Sequence, residues 1–168
     1  MPAHAETRSL PYTAQQMYDL VADVGRYPDF IPWTTASRVR SVTRQGEAKV
    51  MLADLVVGFR MFRERFLSRV TLWPERQAID TEYIEGPFKH MISRWEFSDT
   101  PSGCDVHFEV DFEFRNRLLQ GAAGMFFTEA MTRIVRAFET RAAAIYGSGA
   151  AAADSTSSSA RETLAERT

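Results

Sequence analysis

The segment CDVHFEVDFEF, residues 104–114, carries Cys, Val, Phe, Val, Phe and Phe at even positions and Asp, His, Glu, Asp and Glu at odd ones. Period-two alternation marks a strand with one dry and one wet face. The same period, less regular, predicts strands over about 35–43, 48–57, 60–72, 77–84, 88–98 and 104–115. Turn signals separate them at RQGE (44–47), WPER (73–76), EGP (85–87) and DTPSG (99–103), with a bulge or short turn expected near Gly58. Links of hairpin length make the pairing antiparallel. Residues 5–11 predict one further strand ahead of these six. Next, TAQQ (13–16) has the form of a capping box, and Met17, Leu20, Val21 and Val24 follow at helical spacing. That helix must stop before Pro28, with room for a further short turn near Gly25–Phe30. Asn116 is placed to cap a long helix over Arg117–Tyr146, with Gly147 as its stop. One helix has to cover the single dry face of seven strands. The expected class is α+β, a curved seven-stranded antiparallel sheet wrapped around a long C-terminal helix. Residues 1–147 form this domain, and the small, polar stretch 148–168 reads as a disordered tail.

Polar groups interrupt the dry faces. In the strand over 60–72, Phe62, Glu64, Phe66, Ser68, Val70 and Leu72 share one parity, and Arg63, Arg65, Leu67 and Arg69 the other. The Arg-rich side is the wet one, so Glu64 and Ser68 point inward beside phenylalanines. An inward carboxylate is costly unless paired, protonated or wetted. Met91, Ser93, Trp95 and Phe97 form a similar inward row, as do Ile79, Thr81 and Tyr83. Such rows suit an apolar cavity with a few polar groups, and equally a filled core with internal hydrogen bonds. The pattern leaves both open.

Composition narrows the field by exclusion. A net charge of −2 gives nucleic acid no global attraction, so DNA is not an expected partner. One cysteine, Cys104, excludes a disulfide framework, and its inward parity suits an inert core thiol. The start of the chain lacks the apolar region of a secretory signal, and no apolar run is long enough to span a membrane, so the chain reads as intracellular. Arginine makes up 18 of the 20 basic residues, and alanine is abundant, which associates with a GC-rich bacterial genome. His4, His90 and His107 have no metal-ligand spacing. No histidine is expected on the dry face, and Glu64 is the one clear inward acid.

In order along the chain, DVGRYPDFIPW, LVVGFRMFRERFLSRV, GPFKHMISRWEF, VHFEVDFEFRNRLLQ and AFETRAAAIYG together resemble the coenzyme Q-binding protein family. That family lies within the START-like, or polyketide cyclase and lipid-transport, superfamily with its helix-grip fold. The resemblance spans about residues 5–147. It departs at Thr34, where relatives often carry Cys. It implies a non-catalytic protein that holds a polyprenyl quinone such as ubiquinone, or a similar lipid, in a hydrophobic cavity as carrier or chaperone for respiratory electron transport. It implies no cofactor chemistry, a transient contact with the membrane surface, and a place in the bacterial cytoplasm beside the inner membrane. Bacterial relatives described as ribosome-association toxins make the ribosome an alternative partner. A cyclase-like enzyme acting on aromatic polyketides is a second alternative.

Under this resemblance the cavity wall is expected to include Phe62, Glu64, Phe66, Ser68, Tyr83, Phe88, Met91, Trp95, Phe108 and Phe112 from the sheet, and Phe126 and Ala130 from the long helix. Lys89, in GPFK, is expected at the rim. YPDFIPW is expected to form a flap stiffened by Pro28 and Pro32, with Tyr27, Phe30, Ile31 and Trp33 over the opening. The alternative is a loop docked on the core.

Overall fold

The computed structural model describes residues 3–59 and 62–147, apart from the side chains of Phe59, Phe62 and Ala123. The tail over 148–168 lies outside the described residues. Seven strands, β1 (Ala3–Leu10), β2 (Thr34–Gln45), β3 (Ala48–Phe59), β4 (Phe62–Trp73), β5 (Ala78–Glu85), β6 (Phe88–Thr100) and β7 (Gly103–Phe114), form one antiparallel sheet in the order β1-β7-β6-β5-β4-β3-β2. Helix α1 (Ala14–Ala22) and a 3-10 turn (Val24–Asp29) join β1 to β2, and α2 (Arg117–Tyr146) follows β7.

Local chemistry fixes the helix ends. Thr13 Oγ1 accepts from Gln16 N at 3.1 Å, and Gln16 Oε1 accepts from Thr13 N at 3.0 Å, which completes the capping box. Asn116 Oδ1 accepts from the amides of Leu118 and Leu119 at 2.8 and 3.4 Å. Gly147, at φ 77°, closes α2 by donating its N–H to Ala143 O. α1 ends at Ala22, earlier than Pro28 alone requires, and the tighter 3-10 turn carries Pro28 within it.

Register decides which side chains meet. Trp95 stands opposite Ile79 on one side and Phe108 on the other, and Val70 opposite Met51 and Thr81. These concave rows meet α1 and the C-terminal half of α2. There Met17, Val21, Ile79, Phe97, Val106, Phe138 and Ala142 are buried together. Tyr146 donates its hydroxyl to Gln16 O at 3.0 Å and ties the end of α2 to α1.

Four expectations change. β3 runs through Gly58 to Phe59 instead of turning at the glycine. β2 is nearly all exposed and shows no alternation; its half-buried positions are Thr34, at the cavity, and Ser37, which donates its hydroxyl to Val24 O at 3.0 Å. Leu67, on the Arg-rich outer face, is buried; it stands opposite Asp54, itself buried and held by Arg40. Finally, β1 presents His4, Glu6, Arg8 and Leu10 to the concave side, paired with Val110, Phe108, Val106 and Cys104. A histidine and a second acid therefore do lie on that side.

Candidate ligand cavity

The concave side is filled at only one end. Between the N-terminal half of α2 and strands β3, β4, β6 and β7 lies a cavity of ≈ 340 Å³. Its sheet wall is aromatic. Phe88 stacks on Phe114 at 4.7 Å and meets Phe66 edge-on at 5.3 Å, and Phe112 lies 5.5 Å from Phe127 of α2. Gly86 makes this wall possible. At φ 141° it carries no side chain, and a Cβ there would lie 2.7 Å from Phe66 Cβ. The turn into β6 can therefore press Phe88 onto Phe66. Leu119, Ala122, Phe126, Ala130, Met131 and Ile134 of α2 form the roof.

One ionisable side chain, Glu64, lines the cavity among the described residues, and it has no hydrogen-bond or ion-pair partner among them. Thr34 adds a hydroxyl. Pro32 and Trp33 also line the cavity. Trp33 has φ 66°, a left-handed backbone rare for a bulky residue. Gly58 N donates to Trp33 O at 2.8 Å, and the Arg133 guanidinium lies 5.9 Å from the Trp33 ring.

Of the residues expected at the site, Trp33, Glu64, Phe66, Phe88, Met91, Phe112, Phe126 and Ala130 come together around this cavity. The others lie elsewhere. Tyr27 and Phe30 turn inward onto Phe138 at 5.6 and 5.4 Å, Tyr27 donates its hydroxyl to Val21 O, and Ile31 is buried in the same core. Burial holds the Tyr27 phenol far above its usual range. Most of the expected flap is thus a plug at the filled end, and only Pro32 and Trp33 of that stretch line the cavity. Trp95 and Phe108 lie 4.3 Å apart, with Trp95 also against Phe138 in the packed half. Ser68 is buried outside the cavity wall, and Tyr83 sits behind Phe88 with its hydroxyl on Gly86 O. Lys89 is exposed, 3.4 Å from Glu113. The side chain of Phe62 lies outside the described ones.

Sequence reasoning omitted Val57, Val110 and Phe114 from the sheet wall, and Phe127, Leu119, Ala122, Met131 and Ile134 of α2. Cross-strand parity was the available signal for the first three: Val57 faces Glu64, Val110 faces Ser93 and Phe114 faces Phe88. Beside Phe127, at 6.0 Å, sits His4, which is bonded to Glu6 at 3.0 Å. Arg8 joins that Glu6 at 3.1 Å to Glu139 of α2 at 2.9 Å. Burial alone would raise Glu6, but the bonds from His4 and Arg8 outweigh it and hold the carboxyl below its usual range.

A larger depression, ≈ 750 Å³, lies on the outer face around Ile92. Its charged groups all have partners, Arg94 and Asp80 with each other at 3.0 Å, and Glu82, Glu109 and Asp111 with Arg69, His107 and His90 beside it, so it lacks the unpaired polar group that marks the inner cavity. No group of His, Cys, Asp and Glu among the described residues could hold a metal ion. No helix among them is long and apolar enough to cross a membrane.

The family model for polyketide cyclase / dehydrase and lipid transport matches residues 10–139. The ribosome association toxin RatA of Escherichia coli is 37% identical over 147 residues, covering 87% of this chain and 90% of that protein. The mitochondrial coenzyme Q-binding protein COQ10 homolog B of Xenopus laevis is also 37% identical, over 148 residues, covering 86% of this chain and 59% of that protein. The solution structure of an 18 kDa protein from Caulobacter crescentus superposes with a TM-score of 0.74 at 33% identity, over 88% of this chain and 99% of that one. A seven-stranded sheet gripping a long helix around an apolar cavity, together with these matches, establishes that the chain belongs to the polyketide cyclase / dehydrase and lipid transport family.

Proposed function

We propose that this protein is a non-catalytic carrier that holds the ring end of a polyprenyl quinone, or of a lipid of similar shape, between sheet and helix. The observation that carries this reading is the ≈ 340 Å³ apolar cavity with Glu64 as its one ionisable group among the described lining residues. A cavity of about 150 Å³ accepts benzene. The space here therefore suits one substituted ring and a few further carbons, while a long prenyl tail has to run out of it. A tail passing from bilayer to protein changes little apolar exposure to water, so the hydrophobic term nearly cancels. Retention then rests on aromatic packing and on about 1 kcal/mol for each hydrogen bond to a quinone oxygen. Such a balance favours reversible exchange and weak selection for tail length.

Organic extraction of the purified protein followed by mass spectrometry tests this, and quinone is expected in the extract. Ala130→Phe, which fills the roof of the cavity, should empty the protein while leaving it folded. Glu64→Gln should keep the ligand, since an amide can donate to a ring carbonyl, and Glu64→Leu should lower its affinity about fivefold, the equivalent of about 1 kcal/mol. Protein that is empty from native membranes and refuses added quinone would overturn the reading.

Ribosome contact is a second reading, favoured by the exposed Arg63 and Arg65 on the outer face and by the likeness to RatA. Co-sedimentation of empty protein with ribosomal subunits would support it. Cyclase activity rests on the fold alone: an aromatase/cyclase from Streptomyces superposes with a TM-score of 0.70 at 18% identity.

A further inference from the structure

The first three turns of α2 are unlike the rest of the helix. From Arg115 to Thr128 the chain has two arginines and no acid. The inner face of this stretch lines the cavity through Leu119, Ala122, Phe126 and Phe127. Its outer face is apolar as well. Leu118 and Met125, seven residues apart and so on one side of the helix, are 74% and 77% exposed, the two highest values among the exposed large hydrophobic side chains. Between them Gly121 and Gly124 face open space. Beyond Thr128 the outer face becomes charged in the ordinary way, with Glu129 paired to Arg133 at 2.8 Å and Arg136 exposed. A helix apolar all round is normally buried on all sides. Here that character is confined to the first part of the cavity roof, Leu118 to Phe127.

Water does not reward such a ridge, and an interface with lipid does. Arg115 and Arg117 flank it, both exposed, and Arg115 Nε is anchored on Phe88 O at 2.9 Å, beside the cavity wall. Two cations stand at the start of the apolar ridge, and the first acid beyond it, Glu129, is neutralised by Arg133 at 2.8 Å, a charge pattern that complements an anionic bilayer surface. The bare backbone at Gly121 and Gly124 lets the helix lie close to that surface. We infer that this face of α2 docks on an anionic lipid bilayer, with Leu118 and Met125 at the acyl boundary and Arg115 and Arg117 on headgroup phosphates. The inference deepens the carrier reading, since it brings the cavity roof to the membrane that would supply the ligand, but docking is measured without any ligand.

The test is flotation of the full chain with vesicles of phosphatidylcholine containing phosphatidylglycerol. Wild type should float, and Leu118→Ser with Met125→Ser should reduce vesicle-bound protein about tenfold with the melting temperature unchanged. Raised salt should weaken wild-type binding by screening the arginines. Val39→Ser with Val42→Ser, which removes exposed apolar groups from β2 instead, should leave flotation intact. The inference is overturned if the α2 double variant floats as well as wild type, if the β2 variant is the one that fails, or if the α2 changes merely turn a dimer into monomers without affecting flotation. Quinone delivered from detergent separates the two ideas. Flotation lost with quinone uptake kept supports the docking surface, and flotation kept in a protein that refuses quinone leaves docking standing while the carrier reading falls.

Discussion

The Ser68 hydroxyl is 1% exposed and, among the described residues, the one buried side-chain polar atom with no hydrogen-bond partner. Leaving a hydroxyl dry and unpaired costs about 1–3 kcal/mol. Ser68→Ala should therefore stabilise the protein by about 1 kcal/mol, seen as a melting temperature roughly 2–4 °C higher. A fall instead would mean that the hydroxyl holds a bridging water. Glu64 and Ser68 were both legible as inward from the alternation of their strand, but alternation does not say whether an inward residue meets a void or a neighbour. His4 and Glu6 were illegible for a different reason. β1 reads AHAETRSL, with almost no apolar residues to define a dry parity, and its concave face is carried by partly buried charged groups.

At the scale of elements, α2 was readable to the residue because Asn116 and Gly147 supply caps that few other residues can. Its two internal glycines are uncrowded and lie at ordinary helical φ. A Cβ at Gly121 or Gly124 meets nothing within 4 Å, in contrast to the crowded Gly86. Each Gly→Ala change in the helix should raise stability by about 1 kcal/mol. Chemical denaturation checks this, and an unchanged or lower midpoint would show that these turns are not helical in solution. The 24–33 stretch shows where reading fails. Prolines marked it as irregular, but in a 3-10 turn residues three apart share a side. Tyr27 and Phe30 accordingly go inward together onto Phe138, and the left-handed backbone at Trp33 breaks the series.

For the whole molecule, the expected sheet and helix fix only which faces meet, not how far apart they stand. The helix touches the sheet closely where Phe138 and Ala142 meet the core, and stands off where Phe126 and Ala130 roof the cavity. Spacing of that kind depends on side-chain sizes summed over several strands, which no single strand's pattern discloses. The free margin of β1 is tied to α2 by the Glu6–Arg8–Glu139 network. Because Glu6 is held below its reference value of 4.5 in the folded state, its contribution is fully present above that pH and is lost as pH falls through the lower folded value. Glu6→Gln should therefore destabilise at pH 7, and the gap from wild type should close in acid. Urea midpoints at both pH values would show it; a gap that persists in acid would assign the loss to packing.

The unusual backbone at Trp33 has an evolutionary corollary. Holding a large side chain in a conformation suited to glycine is a standing handicap of roughly 1–2 kcal/mol. Lineages selected for robustness alone would drift towards glycine or asparagine at this position. An indole kept there has to be offset by what it contacts, and Trp33→Gly should therefore relieve the backbone while removing one wall of the cavity.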